Sequence, residues 1–327
     1  TMLKNNKNAS DSLVASCYVC ALGAFGAFFR WLQMQVARDS ETGLINPSIL
    51  NIILPLIIVA AVAVLWLHTK AMDKDGKVYP TGMSEALRGI SIVYIIAAYI
   101  IAAVTVIGGI MTIINSSLDA QRGLYALLAA LAILSGLSFP LVCNASRKHY
   151  SPGLVSIFMA IPVIMYCVWL IVCYRANANN PNLWSYAIEI LAVCSSIIAF
   201  MRTAGYAFGK SAPRKACYMC QLAAFMCITT LADSRYMGLE LILVGTAGML
   251  LIEGWLIIKN RCLPEELPKP KPVKKPSAET EQETDVVIEA GNTEDNPEPT
   301  LQAPTRRPKE SAKPSDAIDE IINEYKE

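Results

Sequence analysis

Eight apolar stretches, each long enough to cross a bilayer as a helix, fill the first 258 residues, and a polar, proline-rich segment follows them. A helical span needs about 20 predominantly apolar residues. The stretches cover residues 13–36, 48–68, 88–114, 123–143, 153–174, 183–208, 215–232 and 238–258. In lipid only a helix satisfies every backbone N–H and C=O within one segment. The runs are also too long and too continuously apolar for the alternating strands of a membrane barrel. The sequence therefore predicts an all-α polytopic transmembrane bundle of about eight spans. Four parts follow: a cytoplasmic N-terminus (1–12), the bundle (13–258), a disordered Pro-rich tether (259–314) and a short amphipathic helix (315–327). The seventh span is the least apolar. It carries Gln221, Thr229 and Thr230, and is expected to be shielded by its neighbours.

Composition supports two different halves. Hydrophobic residues make up 54% and charged residues 17% of the chain, against about a quarter charged in a soluble domain. The net charge of +1 is a cancellation. Residues 1–258 hold 17 Lys/Arg and 11 Asp/Glu, whereas residues 259–327 hold 11 and 16. Met2 reads as the natural initiator. Residues 13–29 read as a retained first span, because no small-residue cleavage site followed by a soluble domain appears.

Loop charge predicts the orientation. With the N-terminus inside, the cytoplasmic segments carry fourteen basic residues: Lys4 and Lys7; Lys70, Lys74, Lys77 and Arg88; Arg147 and Lys148; Arg202, Lys210, Arg214 and Lys215; Lys259 and Arg261. The outer segments carry five: Arg30, Arg38, Arg122, Arg175 and Arg235. The excess of Lys and Arg belongs on the cytoplasmic side. Both ends are thus expected in the cytoplasm and the bundle in the cell inner membrane. All inter-span connections are short.

Ionisable residues within spans are the candidate polar site. They are costly in lipid and normally face the bundle interior with a partner. Glu189 lies about two turns into the sixth span from its outer side, the one deep carboxylate, and Arg30 or Arg175 is its expected partner. Glu253 and Arg202 lie at comparable depth on the inner side and are expected to pair. Glu189 reads either as a proton or solute site or as part of an interfacial ion pair locking the bundle. Pro55, Pro140 and Pro162 fall inside spans. Gly108-Gly109 and Gly205-x-x-x-Gly209 offer close helix contact. His68 and His149 read as interface-level side chains.

A second pattern is the recurrence of Cys17, Tyr18, Cys20, Leu22, Ala24 and Phe25 as Cys217, Tyr218, Cys220, Leu222, Ala224 and Phe225. Duplication of a helix pair and chance in a restricted alphabet both explain it. If the two helices touched, four thiolates could approach a tetrahedral zinc geometry. The simpler reading is that cysteine is a small residue suited to buried packing. No metal or cofactor is expected, and no phosphate loop, zinc-protease motif, serine elbow or nucleic-acid module is present.

Ten of the eighteen prolines fall within 264–314. Six basic residues lie within 259–275, including Lys269, Lys271, Lys274 and Lys275; beside a membrane they favour anionic lipid headgroups. Residues 276–300 carry eight acids and no base, a composition that disfavours folding. In the last thirteen residues Ser315 suits an N-cap. Ile318, Ile321, Ile322 and Tyr325 then fall on one helical stripe. A lone helix this short is marginal in water, so the stripe reads as a helix-in-groove ligand for a cytoplasmic protein.

The stretch from Pro162 to Gly209 resembles polytopic membrane proteins common in Clostridia-type Gram-positive bacteria. The resemblance rests on Trp169-Leu170-Ile171, Tyr174-Arg175, Asn180-Pro181, Tyr186, Glu189 and Ala204-Gly205-Tyr206-Ala207-Phe208-Gly209. That group has no assigned activity, so the resemblance implies a bacterial host and a topology. The first functional expectation is a non-enzymatic anchor, scaffold or sensor that recruits a cytoplasmic partner through its C-terminal tail. The alternative is a small-solute transporter using Glu189.

Overall fold

The computed structural model describes residues 2–37, 48–89, 91–117, 121–148, 151–178 and 186–264. The tether beyond residue 264, the terminal helix over 315–327 and His149 lie outside the described residues. The chain divides into a unit spanning 1–269 and another spanning 270–327; all described residues belong to the first.

Nine α-helices account for most of the described residues. They are α1 (Met2–Val36), α2 (Leu50–Asp73), the four-residue α3 (Met83–Ala86), α4 (Ile92–Asn115), α5 (Arg122–Lys148), α6 (Pro152–Ala176), α7 (Ala187–Ala207), α8 (Pro213–Thr229) and α9 (Met237–Lys259). A 3-10 turn, Thr230–Ala232, ends α8. Every helix except α3 is long and apolar enough to cross a membrane, which makes eight spans among the described residues. The protein is an integral membrane protein of all-helical class. Helix α1 begins well before its apolar run, and the third span begins at Ile92. Ahead of that span the chain first makes α3, then a turn in which Gly89 packs on the Tyr94 ring.

Six of the helices close a ring in the order α9, α4, α5, α6, α7, α8, with α8 returning to α9. Helix α1 lies against α8 and α9, and α2 packs on α1 and touches α8. The spans alternate in direction, so α1 begins and α9 ends at the same end of the bundle, called here the terminal end. The other is the distal end. The most buried spans are those of α8 and α9. Gln221, Thr229 and Thr230 are accordingly shielded, at 4%, 0% and 0% exposure. Four threonine hydroxyls in the spans are satisfied locally: Thr105, Thr112, Thr229 and Thr246 each donate to the carbonyl one turn back, at 2.8–2.9 Å. That habit lets a polar side chain sit in lipid or protein without an orphaned donor.

Small residues set the closest helix approaches. A Cβ on Gly108 would lie 2.8 Å from the Ile242 backbone nitrogen of α9. One on Gly109 would lie 2.9 Å from the Ala129 carbonyl of α5. The Gly108-Gly109 pair thus seats α4 between two neighbours. Gly205 and Gly209 act differently from the expected helix contact, because they end α7. Gly209 adopts φ +67°, the Gly209 N–H donates to the Tyr206 carbonyl, and the Lys210 N–H donates to the Gly205 carbonyl at 2.8 Å. This is a Schellman stop, which needs a residue tolerant of left-handed φ. Helices α2, α5 and α6 continue through Pro55, Pro140 and Pro162.

Gly108→Leu is expected to separate α4 from α9 and destabilise the bundle by about 1–3 kcal/mol or more, seen as a lower Tm in detergent. Gly123→Ala, where an added Cβ meets nothing within 4 Å, should leave the Tm in place.

Candidate functional site

The four residues that join the turn after α8 to α9 hold an ionic ladder at the distal end. The connection is so short that Asp233 and Arg235 stay inside the packed bundle, at 7% and 6% side-chain exposure. Arg30 of α1, fully buried, donates through Nε to Asp233 Oδ1. The other Asp233 oxygen accepts from Thr230 Oγ1 at 2.9 Å and from Arg235 Nη2 at 2.6 Å. Arg235 also donates to the Thr230 carbonyl at 2.7 Å, and its Nε lies 3.2 Å from Glu189 Oε2 on α7. Glu189 Oε1 accepts from Trp169 Nε1 at 2.9 Å and from Cys173 Sγ at 3.2 Å, both on α6. Arg30 further donates to Gln33, which donates to Asn51 of α2, each at 2.7 Å.

The ladder alternates in sign, Arg30, Asp233, Arg235, Glu189, and sums to zero. Burial alone would disfavour the charged Arg235 guanidinium, but Glu189 and Asp233 outweigh it and hold its pKa above the ordinary value. Breaking such a pair by removing one partner leaves an uncompensated charge, at a cost of about 3–5 kcal/mol.

Below the ladder α6 and α7 bury a stack of aromatic rings. Trp169 stacks on Tyr166 with ring centroids 5.6 Å apart and planes 3° from parallel, and both are fully buried. Tyr166 in turn stacks on Phe200 of α7 at 6.0 Å. Successive turns of α6 and α7 aim these rings inward, as the helical period requires.

A second polar junction sits at the terminal end, centred on Arg261, which is 3% exposed. Arg261 donates to the Met72 carbonyl at the end of α2 at 2.9 Å and lies 3.5 Å from Asp11 of α1. Its guanidinium lies 5.7 Å from the Tyr79 ring centroid. Asn8 donates to the Arg261 carbonyl at 2.6 Å and accepts from Lys77 Nζ at 2.5 Å. Val78 and Cys262 form an antiparallel bridge, and Asn260 donates to the Ala86 carbonyl at 2.8 Å. Lys70 and Lys259 lie over Trp66 and Trp255, at 3.8 and 4.4 Å. Such cation–aromatic pairs suit the water-facing edge of a membrane helix.

The structure corrects the expected partnerships. Glu189 takes Arg235 in place of Arg30 or Arg175. Arg30 reaches the same ladder through Asp233, while exposed Arg175 stays outside it. On α6, Trp169 and Cys173 face Glu189, so Arg175, two residues further, points away from it. Glu253 and Arg202 do not pair. Thr203 is buried at 1% exposure, which turns its neighbour Arg202 outward, where it is exposed. Asp233, Arg235 and Arg261 complete these junctions, although Arg235 and Arg261 read from the sequence as loop charges and Asp233 carries no sequence expectation. The signal that could have found the first two is Asp-Ser-Arg in a four-residue connection between two spans.

The cysteine repeat lands in two environments. Cys17 and Cys20 are exposed on α1, whereas Cys217 and Cys220 are buried on α8. Helices α1 and α8 do touch, but through Gly23 and Gly26 against Ile228 and Thr229. No group of three or more His, Cys, Asp or Glu able to hold a metal occurs among the described residues.

Comparison with known proteins returns no family model, no curated protein and no solved structure that matches the chain.

Glu189→Gln and Arg235→Gln are each expected to lower stability by about 3–5 kcal/mol, read as Tm in detergent. The double variant should recover part of that loss, because the two sites are coupled. Single variants with unchanged Tm would remove the ladder as a structural lock.

Proposed function

We propose that the protein is a non-enzymatic membrane anchor, scaffold or sensor that recruits a cytoplasmic partner through its C-terminal segment. The observation that carries this reading is the junction around Arg261. It ties the point where the chain leaves α9 to the start of α1, the end of α2 and the segment 77–88. A tether that displays a ligand helix works best from a fixed root, because a fixed root limits the volume the ligand searches. The buried aromatic stack suits the same role. Loop charge supports a cytoplasmic placement of both ends in the cell inner membrane, with Lys269–Lys275 against anionic headgroups. Ile318, Ile321, Ile322 and Tyr325 are the proposed anchors in the partner's groove. The alternative, a small-solute transporter working through Glu189, has less support. Both oxygens of that carboxylate are engaged by Arg235, Trp169 and Cys173.

Affinity capture from membranes is the test. The full chain should retain a cytoplasmic protein that a chain ending at Pro314 loses, and Ile321→Asp should lose it too. An identical set of captured proteins from all three sinks the reading.

A further inference from the structure

Inside the six-helix ring, towards the terminal end, lies a cavity of about 10 Å³ lined by residues of α5, α6, α7 and α9. That is about the space one water needs, and far too little for an organic solute. Glu253 of α9 is 6% exposed and lines the cavity, and its Oε2 has no hydrogen-bond partner. We propose that Glu253 binds a single monovalent cation, a proton or a sodium-sized ion, in this cavity.

Among the described residues no Lys, Arg or His pairs with Glu253. The titratable groups facing it are Tyr94 of α4, Cys143 of α5, Tyr206 of α7 and Cys220 of α8. Each of these becomes anionic when it ionises, so none can neutralise a carboxylate. Helix α6 contributes only Phe158, Met159 and Pro162 to the cavity. On α1, which also packs against α9, Asp11 is taken by Arg261, and Cys17 and Cys20 are exposed. An isolated carboxylate in a membrane bundle is too costly to persist. Its neutralising partner must therefore come from solution as a small cation.

The other cavity walls fit such a guest. Thr203 and Ser138 line the cavity; their hydroxyls donate to the Phe200 and Ser135 carbonyls, which leaves oxygen lone pairs for a cation, and Thr203 lies beside the carboxyl. Pro162 has no N–H to offer the Phe158 carbonyl one turn earlier, and both residues line the cavity. The residues around the cavity thus include a carboxylate and two hydroxyl side chains. Hard cations take oxygen ligands of these kinds. The site is separate from the ladder, because Glu189 already has its cation in Arg235.

The test uses the full chain in lipid nanodiscs, with Tm read by tryptophan fluorescence. Sodium chloride is exchanged for choline chloride at constant ionic strength, and pH is varied in choline alone. A ligand that binds only the folded state raises Tm with its concentration. A sodium-sized guest raises Tm with sodium at fixed pH; a proton raises Tm as pH falls and leaves sodium without effect. Glu253→Gln should abolish whichever response the wild type shows. Thr203→Val, which removes one ligand oxygen, should shift its midpoint about tenfold in sodium, or one unit in pH. The proposal is overturned if the wild type responds to neither cation, or if Glu253→Gln keeps the response. Should Glu253→Gln fail to fold, an unchanged midpoint in Thr203→Val overturns it. Loss of the C-terminal partner affects none of these readouts.

Discussion

The bundle depends on an alternation of buried charge at its distal end. Arg30, Asp233, Arg235 and Glu189 come from α1, the connection before α9, and α7, and each is too buried to rely on water. Apolar side chains gain little by meeting one another in lipid, since the tails are as apolar as they are. Interactions that lipid cannot replace therefore decide which helices are neighbours. The ladder is one such interaction, and it links the peripheral α1 to the ring. The glycine contacts of α4 are the other kind, where backbones approach too closely for any larger residue.

Between the two ends the ring holds a stack of Trp169, Tyr166 and Phe200, all three buried. Trp169 serves two parts of the molecule at once. Its ring fills the core and its indole N–H fixes Glu189. The terminal end is organised by one buried cation, Arg261, whose contacts join the end of α9 to the start of α1 and the end of α2. The small cavity at Glu253 lies beside a buried carboxylate oxygen that has no protein partner.

The span count and helical class were legible because a 20-residue apolar run has one stable form in lipid. The shielding of α8 was legible too, since Gln221, Thr229 and Thr230 could not face hydrocarbon. Glu189 stood out as an intramembrane carboxylate, but its partner did not. Arg235 differs from Arg175 only in where a four-residue connection places it. Gly205 and Gly209 carried the spacing of a helix contact, yet their place at the end of α7 makes them a stop signal.

By itself, then, the sequence determined that the chain crosses a bilayer in helices, how many times, and which residues were too polar to face lipid. Those properties follow from composition and period along a single segment. The tertiary structure decided which cation met which carboxylate, because pairing depends on helix rotation and neighbour order. A rotation of about 100° separates consecutive residues on a helix. That angle turned Thr203 towards Glu253 and Arg202 away from it, leaving one carboxylate without a cation inside the ring.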